Sequence, residues 1–253
     1  MARPTPMIAL ALALAAPLTA GAAPVVDWST VARRPHDRSA FTEGLVGHGS
    51  VLLESTGLEG QSTLRRVDPR TGRVLRRTSD APSIFGEGVT VLRGTAWQLT
   101  WKNGRIFGYR PASLRRNSAR AYPYEGWGLT TNGSALIASD GSATVRWLDP
   151  GSLALRRSIT VTDDGAAVTN LNELEMIDGV LWANVWLTPR IALIDPADGH
   201  VRGWIDLSRV QPRTADPDAV ANGIAVDPVT HLPVVTGKRW PWMYVIRPEA
   251  IPA

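Results

Sequence analysis

The first copy of a recurring motif reads Phe41-Thr42-Glu43-Gly44-Leu45, in which an acidic residue precedes Gly and a branched aliphatic residue. Four further copies keep the acidic or amide residue: Gly86-Glu87-Gly88-Val89-Thr90, Glu125-Gly126-Trp127-Gly128-Leu129-Thr130, Asn172-Glu173-Leu174-Glu175 and Asn222-Gly223-Ile224. The intervals are 44, 40, 45 and 50 residues when they are counted along Gly44, Gly88, Gly128, Glu173 and Gly223. A period of this length is typical of the blades of a β-propeller.

A second motif occurs once in each repeat of the first and marks turns. In each copy an aliphatic or aromatic residue is followed by Asp or Arg and then Pro: Val67-Asp68-Pro69, Tyr109-Arg110-Pro111, Leu148-Asp149-Pro150, Ile194-Asp195-Pro196 and Ile246-Arg247-Pro248. Pro fixes φ at the first corner of a tight turn, so each copy ends one strand and leads to the next. Between the two motifs lie apolar or alternating runs that indicate strands, at 50–54, 95–99, 134–138, 179–185 and 232–235.

The repeat therefore predicts an all-β fold, a five-bladed β-propeller. A unit of about 45 residues accommodates the four strands of a blade. One unit is too small to bury its own apolar face, so the units stack into a single domain, and six or seven blades would need more chain. The segment Val25-Val26-Asp27-Trp28 precedes the first complete unit, and we expect an N-terminal strand there to close the last blade.

Residues 1–22 have the pattern of a signal peptide. Arg3 supplies a positive start, residues 7–18 are apolar, and Ala20-Gly21-Ala22 is a small-residue cleavage pattern. The apolar run is shorter than the roughly 20 residues that span a bilayer. We expect cleavage after Ala22 or Ala23, an exported protein that is periplasmic or secreted, and a mature catalytic domain at 23–253 that acts as a monomer without a membrane anchor.

Composition excludes several function classes. The chain has no Cys, which excludes thiol catalysis and Cys-ligated zinc and leaves the fold to packing and sheet hydrogen bonds. The net charge of +4 comes from Arg, and the Arg pairs are scattered over separate repeats, so no basic patch for nucleic acid is indicated. The four His show no ligand spacing, and no Gly-x-Ser-x-Gly elbow is present. We expect neither a metal nor another cofactor.

The polar residues of the recurring motif are the candidates for chemistry. The innermost strand of each blade begins at the central channel, so these residues should converge around one mouth: Glu43, Glu87, Glu125, Asn172, Glu173 and Asn222. Any one of them could instead cap a turn or bond a neighbouring blade. Several carboxyl groups close together push one another's pKa values apart, which suits a proton shuttle.

Two other residue types stand near this motif. Lys238 is one of only two lysines in an Arg-rich chain. Four of the ten tryptophans lie beside polar motifs, where they could form a pocket: Trp101, Trp127, Trp186 and Trp240. The other tryptophans can be core residues.

These motifs resemble, in order, those of the plant-type and bacterial glutaminyl-peptide cyclotransferases, also called glutamine cyclotransferases. The resemblance covers nearly the whole predicted mature chain and includes Phe85-Gly86-Glu87-Gly88, Leu171-Asn172-Glu173-Leu174-Glu175, Trp182-Ala183-Asn184-Val185-Trp186 and Thr236-Gly237-Lys238-Arg239-Trp240-Pro241. It implies a five-bladed propeller and a metal-independent enzyme that converts an N-terminal glutaminyl residue of a peptide or protein to pyroglutamate and ammonia.

The resemblance also implies roles for individual residues. Glu87 matches the catalytic acid/base, while Asn172 and Lys238 match positions that hold the substrate amide or stabilise charge. The aromatic pocket would consist of Phe41, Phe85, Trp101, Trp127 and Trp186. Plant members often have Gln at the position of Glu43, which would bind substrate either as a neutral hydrogen-bonding group or as a carboxylate for the amino group.

Two other functions remain open at this stage. One is a non-catalytic propeller that binds peptides or glycans through the aromatic mouth. The other is a metal-dependent propeller hydrolase of the lactonase kind.

Overall fold

The structure is a computed structural model and describes residues 21–252. Residues 1–20, which hold most of the predicted signal peptide, lie outside the described residues. The described residues form strands, turns and loops. Between residues 21 and 252 no helix is long and apolar enough to cross a membrane.

The strands form five four-stranded antiparallel sheets, which are the blades. The N-terminal strand is β1 (Trp28–Pro35). Blade one contains β2 (Thr42–His48), β3 (Val51–Thr56), β4 (Thr63–Val67) and β5 (Val74–Ser79). Blade two contains β6 (Gly86–Leu92), β7 (Thr95–Thr100), β8 (Arg105–Arg110) and β9 (Arg115–Ala121). Blade three contains β10 (Leu129–Thr131), β11 (Leu136–Ala138), β12 (Thr144–Leu148) and β13 (Leu155–Thr160).

A small hairpin separates the third and fourth blades, formed by β14 (Thr162–Asp163) and β15 (Ala166–Ala167). Blade four contains β16 (Leu171–Ile177), β17 (Val180–Val185), β18 (Arg190–Ile194) and β19 (Val201–Asp206). Blade five contains β20 (Ala221–Val226), β21 (Pro233–Gly237) and β22 (Trp242–Pro248), with β1 as its outer strand.

The ring closes through its cores and its inner strands. Each of the five hydrophobic clusters packs between two consecutive blades, and one of them joins blade five to blade one. The first strand of each blade contacts the first strands of both neighbouring blades. β2 and β3 are mostly buried, whereas the outer strand β5 is mostly exposed. The predicted five-bladed propeller is confirmed.

An N-terminal strand closes the last blade, as predicted, but it shares only Trp28 with the predicted segment, whose first residue Val25 bridges to Trp204 of blade four. β1 pairs antiparallel with β22, from Trp28 opposite Pro248 to Pro35 opposite Trp242. Because β1 comes from the start of the chain and β22 from its end, their hydrogen bonds tie the two ends of the ring together without a covalent link.

The recurring motif forms β-bulges in four of the blades. The pairing of the first two strands shifts between Thr42 and Gly44, Gly86 and Val89, Leu171 and Leu174, and Ala221 and Ile224. A bulge bends its strand and re-aims the side chains that it leaves out of register. In blade three the motif begins before β10, so its acidic residue Glu125 precedes the strand and only its last two residues belong to it. The polar side chains at the bulges therefore need not alternate between the two faces of the sheet.

Candidate active site

A cavity of about 300 Å³ opens where the innermost strands begin. Its lining includes all nine residues that the sequence analysis assigned to the site: Phe41, Glu43, Phe85, Glu87, Trp101, Trp127, Asn172, Trp186 and Lys238. Every blade contributes at least one of them: blades one to four do so through the recurring motif, and blade five through Lys238, which follows β21. The structure thus brings the nine residues together, and their individual roles remain predictions.

Glu87 is the most unusual group in the cavity. Its side chain lies in the bulge of β6 and is only 5% exposed. Its Oε2 atom is buried and has no hydrogen-bond partner within residues 21–252. Burial, together with the charges of Glu43 and Glu125, raises the pKa of Glu87 well above its usual value, while Lys238 opposes this rise. A buried carboxyl group with a raised pKa in a cavity is a candidate for proton transfer.

Lys238 forms a buried ion pair with Glu43. Lys238 Nζ lies 2.8 Å from Glu43 Oε1, and Asn222 Nδ2 donates to Glu43 Oε2 at 2.9 Å. Burial raises the pKa of Glu43 to about 7, although Lys238 and Asn222 favour its charged form. An ammonium group has three N–H donors, so Lys238 can bond Glu43 and still donate to a ligand.

Asn172 and Glu173 occupy the same bulge but have different surroundings. Asn172 lines the cavity, and its Oδ1 atom is a second buried acceptor without a partner in the described part of the chain. Glu173 is not among the lining residues. Its two carboxylate oxygens accept the backbone N–H groups of Leu45 at 3.1 Å and Ile224 at 2.8 Å. Glu173 therefore ties blade four to blades one and five.

Aromatic side chains form one wall of the cavity. The rings of Phe41 and Phe85 are 6.2 Å apart, and those of Phe85 and Trp101 are 5.5 Å apart. A second group consists of Trp127 and Trp186, whose rings lie 5.6 Å apart and nearly perpendicular. Such walls hold the apolar part of a small ligand and keep water away from it.

Comparisons with known proteins identify the family of this chain. The sequence model described as glutamine cyclotransferase matches residues 5–247. The chain belongs to the glutamine cyclotransferase family. A glutaminyl-peptide cyclotransferase of Arabidopsis thaliana is 41% identical over 230 residues, which cover 86% of this chain and 70% of that protein. The crystal structure of glutaminyl cyclase from Myxococcus xanthus matches with a TM-score of 0.83 at 34% identity, over 91% of this chain and 99% of that one.

The motif-based resemblance to glutamine cyclotransferases is thus confirmed, but the sequence did not show every residue of the site. Leu58 and Asp218 also line the cavity of this cyclotransferase. Asp218 lies in the Pro- and Asp-rich segment between β19 and β20, outside both recurring motifs. Leu58 follows β3 in a left-handed conformation with φ of 77°, and no sequence pattern marks it.

Two residues singled out in the sequence pack inside the blades and do not line the cavity. Trp240, which the sequence placed near the pocket, is fully buried in a core between blades four and five, and its Nε1 donates to the carbonyl of Ala219. His36 is one of the four His that show no ligand spacing in the sequence, and it also lies outside the cavity lining. In the structure His36 Nε2 lies 2.7 Å from Glu54 Oε1 in a buried cluster.

No group of three or more His, Asp or Glu residues in the described part of the chain is arranged to hold a metal ion. The metal independence implied by the resemblance to other glutamine cyclotransferases therefore remains part of the proposal below.

Proposed function

We propose that this family member cyclises the N-terminal glutaminyl residue of peptides or proteins to pyroglutamate and releases ammonia. Family membership supports this activity, as do the names of the Arabidopsis and Myxococcus relatives. The observation that carries the proposal is the buried, unpartnered carboxyl oxygen of Glu87 in a cavity that also holds a buried lysine.

The polar groups of the cavity complement those of the substrate. An N-terminal glutamine has an α-amine and a carboxamide NH₂ as donors, and a carboxamide oxygen as acceptor. Glu87 Oε2 and Asn172 Oδ1 are the unpartnered acceptors, and Lys238 is the donor. A buried polar atom without a partner costs free energy, so a ligand that bonds these atoms gains by satisfying them.

The reaction needs one proton transfer when the new C–N bond forms and a second when the old C–N bond breaks. The neutral α-amine attacks the δ-carbonyl carbon, a C–N bond forms, and the Glu87 carboxylate takes a proton from the attacking nitrogen. Glu87 then gives that proton to the carboxamide nitrogen, the old C–N bond breaks, and ammonia leaves. Because both nitrogens belong to one residue, the enzyme chiefly has to hold the reactive rotamer.

Lys238 and the aromatic wall complete the mechanism. The Lys238 ammonium group stabilises negative charge that develops on the carbonyl oxygen, and such donors contribute a few kcal/mol when they are aimed at the transition state. The pair with Glu43 holds the ammonium group in place. The indole and phenyl rings hold the side-chain methylenes of glutamine in its folded rotamer.

The test is ammonia release from a dipeptide that begins with Gln. We expect release with formation of the pyroglutamyl dipeptide, and no release from the matched dipeptide in which Gln is second. Equal ammonia from both dipeptides would indicate a hydrolase of free amide groups and contradict the proposal. Binding without turnover would favour the non-catalytic peptide-binding propeller.

We further propose that the enzyme is exported and acts without a metal. The predicted signal peptide supports export, and the complement of acid, amide and lysine groups supports chemistry by side chains alone. Activity in a periplasmic or secreted fraction that survives dialysis against a chelator is the expected result. Activity that is lost with chelator and restored by a divalent ion would favour the lactonase-like alternative.

A further inference from the structure

We propose that Glu125 is a positioning residue of this site, which holds the indoles of Trp101 and Trp127 in the orientation in which they line the cavity. The kinetic part of this inference rests on the proposed function. Its structural part concerns the two tryptophans alone.

The geometry is that of one acceptor shared by two donors. Glu125 Oε1 accepts the indole N–H of Trp101 at 2.5 Å and that of Trp127 at 3.0 Å. An indole has a single N–H donor and no acceptor, so this bond determines which edge of the ring faces the carboxylate. Bonds to a charged acceptor are stronger than those between neutral groups.

The shared acceptor connects two separate parts of the aromatic wall. Trp101 follows β7 in blade two and contacts Phe85. Trp127 precedes β10 in blade three and contacts Trp186. Among the aromatic contacts of the described residues, none joins these two groups directly. Glu125 therefore makes the wall continuous across the boundary between blades.

Packing covers only part of each of these two rings. Both indoles are only partly buried, as a wall of an open cavity must be. Trp127 lies against the backbone of Gly141, where a Cβ atom would be 2.7 Å from the ring. Trp101 has the flexible Lys102 ammonium group 4.1 Å from its ring centre. Where packing leaves a ring partly exposed, its polar bond fixes the orientation.

Glu125 also has an electrostatic consequence that a neutral acceptor would lack. The charged groups that act on Glu87 are Glu43 from blade one, Lys238 from blade five and Glu125 from blade three. The Glu125 charge is one of the causes that raise the pKa of Glu87, after burial and Glu43. Glu125→Gln keeps a carbonyl oxygen for the two indoles and removes the charge, whereas Glu125→Ala removes both.

The experiment compares Glu125→Gln and Glu125→Ala by near-ultraviolet circular dichroism and by kinetics on the Gln-initiated dipeptide. For Glu125→Ala we expect a changed tryptophan signal and a KM raised about tenfold, because the substrate meets mobile indoles. For Glu125→Gln we expect the wild-type signal and a KM within about threefold of wild type. The acidic limb of its kcat profile should move to lower pH, because the carboxylate of Glu87 forms more easily.

The matched control is Asp163→Ala. Asp163 Oδ2 accepts the indole N–H of Trp204 at 2.9 Å, outside the cavity lining. This variant should change the tryptophan signal and leave KM unchanged. It therefore shows whether the raised KM is specific to the bonds of Glu125 or follows from the loss of any carboxylate–indole bond.

Two results would overturn the positioning role: a wild-type tryptophan signal and KM in Glu125→Ala, or a Glu125→Gln variant that matches Glu125→Ala in both readouts. If the wild-type protein releases no ammonia, the proposed function fails. The comparison of tryptophan signals among the three variants still decides whether Glu125 orders the two indoles.

Discussion

At the scale of single residues, Glu87 lowers the stability of the fold, and its role in the proposed reaction explains why it is there. A buried carboxyl group without a partner destabilises a fold, because burial disfavours its charge and leaves its oxygen unbonded. Glu87 has both properties, and its pKa is raised well above its usual value by burial first and by Glu43 second. Strained or unsatisfied groups of this kind concentrate at active sites.

Glu87→Gln should separate activity from stability. The amide cannot relay a proton, so we expect kcat to fall by about 100- to 10,000-fold. The folded state no longer contains this buried acid, so the melting temperature should stay the same or rise. Ammonia release and thermal unfolding measure the two effects, with the exposed Glu249→Gln as the control. Near-normal turnover in Glu87→Gln would remove Glu87 from the proposed role.

Because Lys238 forms an ion pair with Glu43, replacing the lysine should lower the stability of the fold as well as the activity. Lys238→Ala leaves Glu43 buried without its cation, and removing one member of a buried pair typically costs about 3–5 kcal/mol. The pKa of Glu43 is about 7 beside Lys238, which lowers it, so removing the lysine raises this pKa further. Below pH 7 Glu43 is protonated with or without the lysine, so the loss of stability should be smaller at pH 6 than at pH 8.

The double variant Glu43→Gln with Lys238→Ala distinguishes the two roles of the lysine. It removes both charges, so most of the lost melting temperature should return while turnover stays low. Thermal unfolding and ammonia release of the two single variants and the double variant form the cycle. Full recovery of turnover in the double variant would show that Lys238 acts only as the partner of Glu43.

At the scale of strands, the Gly in the recurring motif allows the innermost strands to approach each other. A Cβ atom at Gly44 would lie 2.5 Å from the backbone nitrogen of Val89 in the next blade. A Cβ atom at Gly128 would collide with the carbonyl oxygen of Asn172. Blade four has Glu173 where the motif elsewhere has Gly, and that side chain bonds the backbones of the two blades it reaches.

Gly44→Ala should therefore disrupt the contact between blades one and two. Its clash is with backbone atoms of both Val89 and Gly88, which cannot move without shifting β6. We expect a large fall in melting temperature together with lost activity, because β6 carries Glu87. The control is Gly151→Ala, whose nearest atom would be a side-chain oxygen of Asp149 at 3.2 Å. Similar melting temperatures for the two variants would contradict the close approach.

The sequence could predict strands and blades because each repeat has its own turns and apolar runs. The predicted run 95–99 lies within β7, and 179–185 includes β17. The bulges could not be predicted, because they depend on pairing with the adjacent strand. The partners of Glu43 and Glu125 were also invisible, because Lys238 and Trp101 belong to other blades and no local pattern links them.

At the scale of the molecule, arginines fasten blade five to blade one, blade one to blade two and blade two to blade three, which the scattered Arg pairs in the sequence did not reveal. Arg34 donates to the carbonyl of Pro69 at 2.9 Å, Arg66 to that of Pro111 at 3.0 Å, and Arg120 to that of Pro150 at 3.1 Å. These carbonyls belong to the turn motif of the neighbouring blade. Repeated bonds of this kind help to hold a ring that contains no Cys.

Buried carboxyl groups near the axis make the stability of the whole ring depend on pH. Burial raises the pKa of Glu175 to about 8, against hydrogen bonds from Thr130 and two backbone groups, and that of Glu43 to about 7. Burial also raises the pKa of Glu173 well above its usual value. His36 acts in the same direction: burial lowers its pKa, but Glu54, the backbone of Trp240 and Asp37 together raise it above its usual value.

Stability should therefore fall as pH rises from 6 to 9. An unfolded Glu loses its proton near its usual pKa of 4.5, whereas folded Glu175 keeps its proton until about pH 8. Between these values the folded state binds more protons than the unfolded state, so raising the pH favours unfolding. Glu175→Gln cannot titrate, and its melting temperature should decline less over this range than that of wild type or of Glu249→Gln. Equal slopes in all three proteins would show that Glu175 does not hold a proton in the folded ring.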